Sequence, residues 1–217
     1  MNDKGPPARV TGHGTEYLHI SITHSPSHAL FPSFPFLLFP PFPFSSSSFF
    51  LPMETPETIT RGDTAKTAEV CKAHGITPEE FSELRTRATA AKATAYCPYS
   101  QFRVGATVLS SEGKLTSGAN VENASYPVGT CAERVALGTA VTGGHRGFRA
   151  IAVATDIAPP ASPCGMCRQF IREFCKLDTP IIMFDKNEDF VVAKLGQLLP
   201  MSFGPDQLPP PGASRTE

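Results

Sequence analysis

The chain lacks any excess of charge of one sign: 19 Lys and Arg stand against 20 Asp and Glu, a formal net charge of -1 over 217 residues. Without a basic stripe there is nothing to grip a phosphate backbone, so nucleic acid is not an expected partner. It also lacks an apolar run that could cross a membrane as a helix. From Leu30 to Pro52 every residue is Leu, Phe, Pro or Ser, and the repeated prolines forbid the continuous helix a span requires. No internal repeat is visible, and no stretch with the character of a signal peptide precedes the 6 cysteines. A disulfide framework is therefore not expected, and a reducing cytosol is the expected compartment. Hydrophobic residues make up 41%, enough for one domain with a real core.

The Leu/Phe/Pro/Ser tract has no periodic face to bury, so residues 1–52 are expected to lack fixed structure. All four residue types can be encoded by codons made only of pyrimidines, and the tract reads like a translated polypyrimidine stretch. The hypothesis that follows is that residues 1–52 stem from a gene-model or upstream-translation artefact and that the functional protein begins at Met53. A transit peptide is the alternative, opposed by sparse Arg and abundant Pro. N-terminal sequencing of the endogenous protein decides, since a mature terminus upstream of Leu30 would end the idea. Residues 53–73 are expected to be a lead-in, 74–205 a single domain, and 206–217 a Pro-rich tail without order.

Beyond Met53 the pattern alternates between helix and strand. Thr77-Pro78-Glu79-Glu80 combines an N-cap, a Pro at the first helical position and a glutamate three residues on, which opens a helix expected to reach about Tyr96. Phe81, Leu84, Ala88, Ala91 and Ala95 form its apolar stripe. Val104 to Leu109 reads as a strand, Ser111-Glu112-Gly113 as a turn and Lys114 to Ala119 as the return strand of a hairpin. A second helix is expected from Thr130 to about Val141, a buried strand from Arg149 to Ala154, and a third helix from about Pro163 to Phe174. Ile181 to Phe184 and Asp189 to Val192 read as two more strands. The alternation predicts an α/β fold: a three-layer α/β/α sandwich around a mixed five-stranded sheet.

Within this frame stand Cys131-Ala132-Glu133 and Pro163-Cys164-Gly165-Met166-Cys167. Three thiolates can fill three corners of a tetrahedron around Zn²⁺ and leave the fourth for water, the arrangement of a catalytic zinc. Glu133 is then the candidate general acid and base. Thr130-Cys131-Ala132-Glu133 has the form of a capping box, which would put Cys131 in the first turn of its helix, and Ser162-Pro163-Cys164 does the same for Cys164. Both helix starts carry partial positive charge and unpaired N–H groups, which favour thiolates. Arg134 is placed to donate to ligand sulfurs and to offset the negative centre they make. Other readings remain open at this point: a Cys-x-x-Cys redox pair, or a structural Cys₄ site recruiting Cys71, Cys97 or Cys175. Taken singly, Glu133 reads equally as a capping residue and Arg134 as a solvated helix charge.

The layout of a His- or Cys-x-Glu segment followed by Pro-Cys-x-x-Cys is that of zinc deaminases. The chain resembles the small, homotetrameric, three-cysteine cytidine deaminases. The resemblance runs from about Tyr96 to Pro205 and is carried by Tyr96-Cys97-Pro98-Tyr99-Ser100, Phe102-Arg103-Val104-Gly105-Ala106, Asn120-Val121-Glu122-Asn123-Ala124-Ser125-Tyr126-Pro127, Thr130-Cys131-Ala132-Glu133-Arg134, Ser162 to Gln169 and Ser202-Phe203-Gly204-Pro205. Arg103 stands where most members have Pro, and Ser125 where many have Cys.

The resemblance implies zinc-dependent hydrolysis of cytidine and deoxycytidine to uridine and deoxyuridine, with Cys131, Cys164 and Cys167 as metal ligands and Glu133 moving the protons. It implies further that Asn120 and Glu122 bind the ribose hydroxyls, that the Ala132 backbone reads the base edge, and that Phe102 lines the pocket. Tyr126 and Phe203 are expected to enter from neighbouring subunits of a homotetramer. Glu122 would repel a phosphate, so free nucleosides are the expected substrates. Related deaminases of deoxycytidylate, guanine or blasticidin are the alternative enzyme reading; the first two usually carry His where Cys131 stands. A zinc-stabilised binding module without turnover is the alternative of another class, opposed by the intact Glu133. On the residues alone, Phe102 and Tyr126 would read as plain core aromatics and Phe203 as a terminal plug.

Overall fold

In the computed structural model, which describes residues 56–209, the Thr77 hydroxyl accepts from the Glu80 N–H at 3.1 Å and the Glu80 carboxylate accepts from the Thr77 N–H at 3.0 Å. This reciprocal cap, with Pro78 at the first position, opens helix α2 (Pro78–Ala91) as the sequence pattern requires. The helix ends earlier than expected. It tightens into a 3-10 turn at Lys92–Thr94, so Ala95 lies beyond the helical stripe and Tyr96 pairs in a short bridge with Val121. The expectations for residues 1–52, and for the tail from 210 onward, lie outside the described residues.

One helix was not expected. Helix α1 (Thr64–His74) occupies the segment read as a lead-in. Asp63 caps it by accepting from the Lys66 N–H at 2.9 Å, and Gly75 ends it in the left-handed region at φ 64°. Only Cys71 is buried along it, and a helix with so thin an apolar face has no strong periodic signal.

Strands β1 (Val104–Ser110), β2 (Leu115–Ala119), β3 (Phe148–Thr155), β4 (Pro180–Phe184) and β5 (Phe190–Lys194) form one sheet in the order β2-β1-β3-β4-β5. All neighbours are antiparallel except β3 and β4, which run parallel. The mixed five-stranded sheet is the one the alternation implied. Helices α3 (Ala132–Thr142) and α4 (Gly165–Phe174) complete the main framework, and a short α5 (Leu195–Leu198) follows β5.

Alternation along the strands builds two cores. Ala106, Val108, Ile151, Val153, Ile181 and Met183 pack with Ala136, Leu137 and Ile171 of α3 and α4 on one face. Leu109, Ala150, Ala152, Ile182, Phe184 and Phe190 pack with Phe81, Leu84 and Ala88 of α2 on the other. The Phe81 ring meets Phe190 at 5.0 Å and Phe184 at 5.8 Å, both edge-on, contacts worth about 0.5–1.5 kcal/mol each beyond burial. Two glycines set the helices close to the sheet. A Cβ at Gly105 would lie 2.1 Å from the Ala88 carbonyl of α2, and one at Gly118 would lie 2.5 Å from the Ala136 nitrogen of α3. The second approach fixes the helix that carries Glu133 against β2.

Candidate metal centre and active site

Past Ala119 the chain leaves β2 but stays extended. Val121 and Thr130 exchange two backbone bonds of 2.9 and 2.8 Å, while the Tyr96 N–H donates to the Asn120 carbonyl and the Glu122 N–H to the Tyr96 carbonyl. The segment bearing Asn120 and Glu122 is thereby stitched to Thr130, one residue before Cys131. Sequence-distant residues arrive at one place because this ribbon runs beside the start of α3.

The expected capping box at Thr130 does not form. Cys131 is itself the N-cap of α3, with extended backbone at φ -72° and ψ 155°, and no side chain caps the helix. Cys164 holds the same station on α4, at φ -66° and ψ 166°, so that helix begins at Gly165 rather than Pro163. A thiol is a poor substitute for the oxygen of Ser or Asp at an N-cap. These two helix starts therefore give up a capping bond and keep both sulfurs free for another partner. Cys167 lies in the first turn of α4 and is fully buried.

The Cys131 and Cys164 sulfurs are 3.9 Å apart, and all three sulfurs lie within 4.8 Å of one another. Tetrahedral zinc with bonds of about 2.3 Å places its sulfur ligands about 3.8 Å apart, so the three side chains fit the ion. All six cysteines are free thiols, and Cys71, Cys97 and Cys175 are not in the cluster. A fourth cysteine ligand is thus absent among the described residues.

Charge at the cluster is unevenly shared. The Cys131 thiol is pushed down to about 5, first by the bond it accepts from Cys167 and, against the cost of burial, by Arg134 and Cys164. The Cys167 thiol is pushed far up by that same contact, by burial and by the charge of Glu133. Arg134 Nη2 reaches the Cys131 sulfur at 3.8 Å and the Gly129 carbonyl at 3.3 Å, while its buried Nε has no partner. Glu133 is 4% exposed, and burial first, then the Cys131 thiolate, raise its carboxyl above the usual range.

The remaining expected residues divide. The Glu122 carboxylate accepts from the Tyr99 and Ser100 N–H groups at 2.9 and 3.2 Å, and its carboxyl lies below the ordinary range, led by the Ser100 side-chain bond. Asn120 accepts from the Val104 N–H and donates to the Phe102 carbonyl, both at 2.8 Å, which ties Phe102 to the same ribbon. Ala132 is buried at the first position of α3. Tyr126 and Phe203 are 73% and 57% exposed, so neither is the plain core residue or plug that composition alone suggested. A cavity of about 270 Å³ lies between Tyr99, Ser100, Glu122, Asn123, Tyr126 and Gly129. Its lining includes Gly129, which binds Arg134 through its carbonyl, but none of the three cysteines.

Sequence reasoning missed Arg168. Its guanidinium donates to the Pro163 carbonyl, the Ser162 hydroxyl and the Leu198 carbonyl at 2.7, 2.8 and 2.7 Å, fixing the loop that enters Cys164. An arginine directly after the second cysteine of Cys-x-x-Cys was the available signal.

Comparison with known proteins agrees with this geometry. Residues 78–183 match the family described as the cytidine and deoxycytidylate deaminase zinc-binding region. A cytidine deaminase from Sporosarcina psychrophila is 40% identical over 129 residues, covering 59% of this chain and 95% of the relative. The chain belongs to the cytidine deaminase family. Another cytidine deaminase, from Halalkalibacterium halodurans, is 44% identical over 113 residues, covering 52% of this chain and 86% of its own length. The crystal structure of the cytidine deaminase from Burkholderia pseudomallei superposes with a TM-score of 0.55 at 43% identity, over 56% of this chain and 98% of that one. Membership in the cytidine deaminase family makes zinc the metal for the cysteine cluster. Among the described residues no helix is long and apolar enough to cross a membrane.

Proposed function

We infer that this chain catalyses the hydrolytic deamination of cytidine and deoxycytidine to uridine and deoxyuridine, releasing ammonia, as a step of pyrimidine salvage. The observation that carries the reading is the buried Glu133 carboxyl set against three sulfurs spaced for zinc. Cys131, Cys164 and Cys167 hold the ion, which when bound supplies a Lewis acid that lowers the pKa of water towards about 7. Glu133 accepts the proton released from that water and delivers it to N3 of the base, which makes C4 electrophilic as the water oxygen attacks it. The same carboxylate then takes the second proton from the hydroxyl now on C4 and carries it to the 4-amino group, the C4–N bond breaks as the C4 carbonyl forms, and ammonia leaves. The raised Glu133 carboxyl suits this double duty, because a group that holds a proton loosely in both directions loses little in either transfer.

The other residues bind and orient. Ala132 sits where helix N–H groups lack intrahelical partners, and its backbone reads the base edge. Asn120 and Glu122 take the ribose hydroxyls, and the two backbone donors that hold Glu122 keep it charged and aimed. That charge disfavours a phosphate on the sugar and selects free nucleosides. Phe102 lines the pocket. Tyr126 and Phe203, both exposed in the single chain, complete the sites of neighbouring subunits in a cytosolic homotetramer. Loss of cytidine's amino group, followed by ultraviolet absorbance with purified zinc-loaded protein, tests the reading. Turnover of cytidine and deoxycytidine with neither base nor nucleotide consumed is the expected result; no turnover of either nucleoside by a zinc-loaded tetramer would overturn it.

A further inference from the structure

Arg172 sits two turns along α4 from Cys164, with only 8% of its side chain exposed. A buried guanidinium needs partners, and all of those it finds belong to one short segment near the C-terminus. Its Nε donates to the Ser202 hydroxyl at 3.2 Å, and its Nη2 pairs with the Asp206 carboxylate. Between them lies Gly204, whose backbone is pressed against the guanidinium plane. A Cβ there would stand 2.3 Å from the Arg172 Cζ and 2.4 Å from Nη2. At φ -150° the backbone itself would accept any residue, so the close approach is what calls for glycine. One helical turn earlier, Gln169 Nε2 donates to the Phe203 carbonyl at 3.0 Å.

These contacts hold Ser202, Phe203, Gly204 and Asp206, yet the ring they surround is turned out. Phe203 is 57% exposed and takes no part in either core. The described residues of its own chain give no packing reason for a segment so firmly tied. The same helix carries Cys164 and Cys167 at its start, so the clamp ties the segment that bears the Phe203 ring to a helix of the metal centre.

We propose that Arg172 is a positioning residue for the deaminase reaction, clamping Ser202 to Asp206 so that Phe203 is presented to substrate in a fixed pose. The inference rests on the reading above that Phe203 contacts substrate. Lysine could not replace it, because the contacts need a planar fork that lies flat on Gly204 while donating to both sides.

The test is a double-mutant cycle in zinc-loaded, full-length protein. Arg172→Met and Phe203→Ala should each raise KM for cytidine about tenfold with zinc content unchanged, and the double variant should be no worse than Phe203→Ala alone. If Arg172→Met raises KM by the same factor with or without Phe203, or leaves it unchanged where Phe203→Ala raises it, the proposal fails. Should Arg172→Met not fold, Asp206→Asn attacks the clamp at its exposed carboxylate and Gly204→Ala at the close approach to the guanidinium, and both carry the same expectation. The chain contains no Trp, so Phe203→Trp gives a single fluorescent reporter that does not depend on turnover. Loss of the clamp should make that Trp more open to acrylamide quenching, and unchanged quenching would overturn the clamp. Increased quenching together with a Phe203→Ala variant of normal KM would leave the clamp standing and remove the substrate role of Phe203 instead.

Discussion

The sulfurs of Cys131 and Cys164 lie 3.9 Å apart across 33 residues of sequence, each at the N-cap of its own helix and each free of a capping bond. Two helix starts therefore converge on one point, and Cys167 reaches it from the first turn of α4. Proton inventory follows from this arrangement. Cys131 is a thiolate down to about pH 5, whereas Cys167 keeps its proton well above neutrality. Zinc must displace the Cys167 proton on binding, so affinity rises with pH. In chelator-stripped protein, zinc titrations between pH 6 and 8 should show at least about one proton released per ion and affinity rising about tenfold or more per pH unit. Affinity that does not change with pH would contradict this assignment.

Arg134 touches the Cys131 sulfur at 3.8 Å and has its buried Nε unpaired. Three thiolates make a zinc centre of net negative charge, and this guanidinium is the cation placed to draw that charge off. Arg134→Gln should lower zinc affinity or kcat by about 10–100-fold while leaving the fold intact by circular dichroism. Unchanged kcat and unchanged zinc affinity together would remove Arg134 from the site.

Glu80 joins the cap of α2 to β3 by pairing with Arg149. Burial opposes its charge, but the Arg149 bond and the Thr77 N–H hold its carboxyl below the ordinary range. A depressed carboxyl contributes stability that is complete above its unfolded value of about 4.3 and is lost as pH falls through the lower folded value. Glu80→Gln should therefore destabilise at pH 7, by about 0.3–1.5 kcal/mol, and the gap to wild type in urea unfolding should narrow progressively as pH falls below the unfolded value. A gap that stays constant over that range would show that the charge is not what stabilises.

Most of the fold was legible because its signals are local. Thr77-Pro78-Glu79-Glu80 announces a helix start by chemistry that needs no tertiary partner, and the unbroken apolar runs Ala150 to Ala154 and Ile181 to Phe184 announce strands buried on both faces. Helix α1 escaped because it buries Cys71 and little else; its capping pair, Asp63 and Gly75, was the signal to weigh. The end of α2 escaped because the turn from Lys92 to Thr94 still has helical composition.

At the site, the Cys-x-Glu and Cys-x-x-Cys spacings gave the cluster, yet the Thr130 capping box was a false reading. Thr130 is spent on the backbone ladder with Val121, a contact between loop segments that no periodicity reveals. The Arg168 and Arg172 contacts with the C-terminal segment span 30 or more residues and could not be inferred from composition at all.

The central claim is that Glu133 moves protons beside a zinc held by three sulfurs without itself holding the metal. Glu133→Gln, assayed for bound zinc and for cytidine turnover in the same preparation, tests it most directly. The account predicts about one zinc per chain, as in the wild type, and turnover lower by about 10²–10⁴-fold. Near-normal turnover in zinc-loaded Glu133→Gln would contradict it.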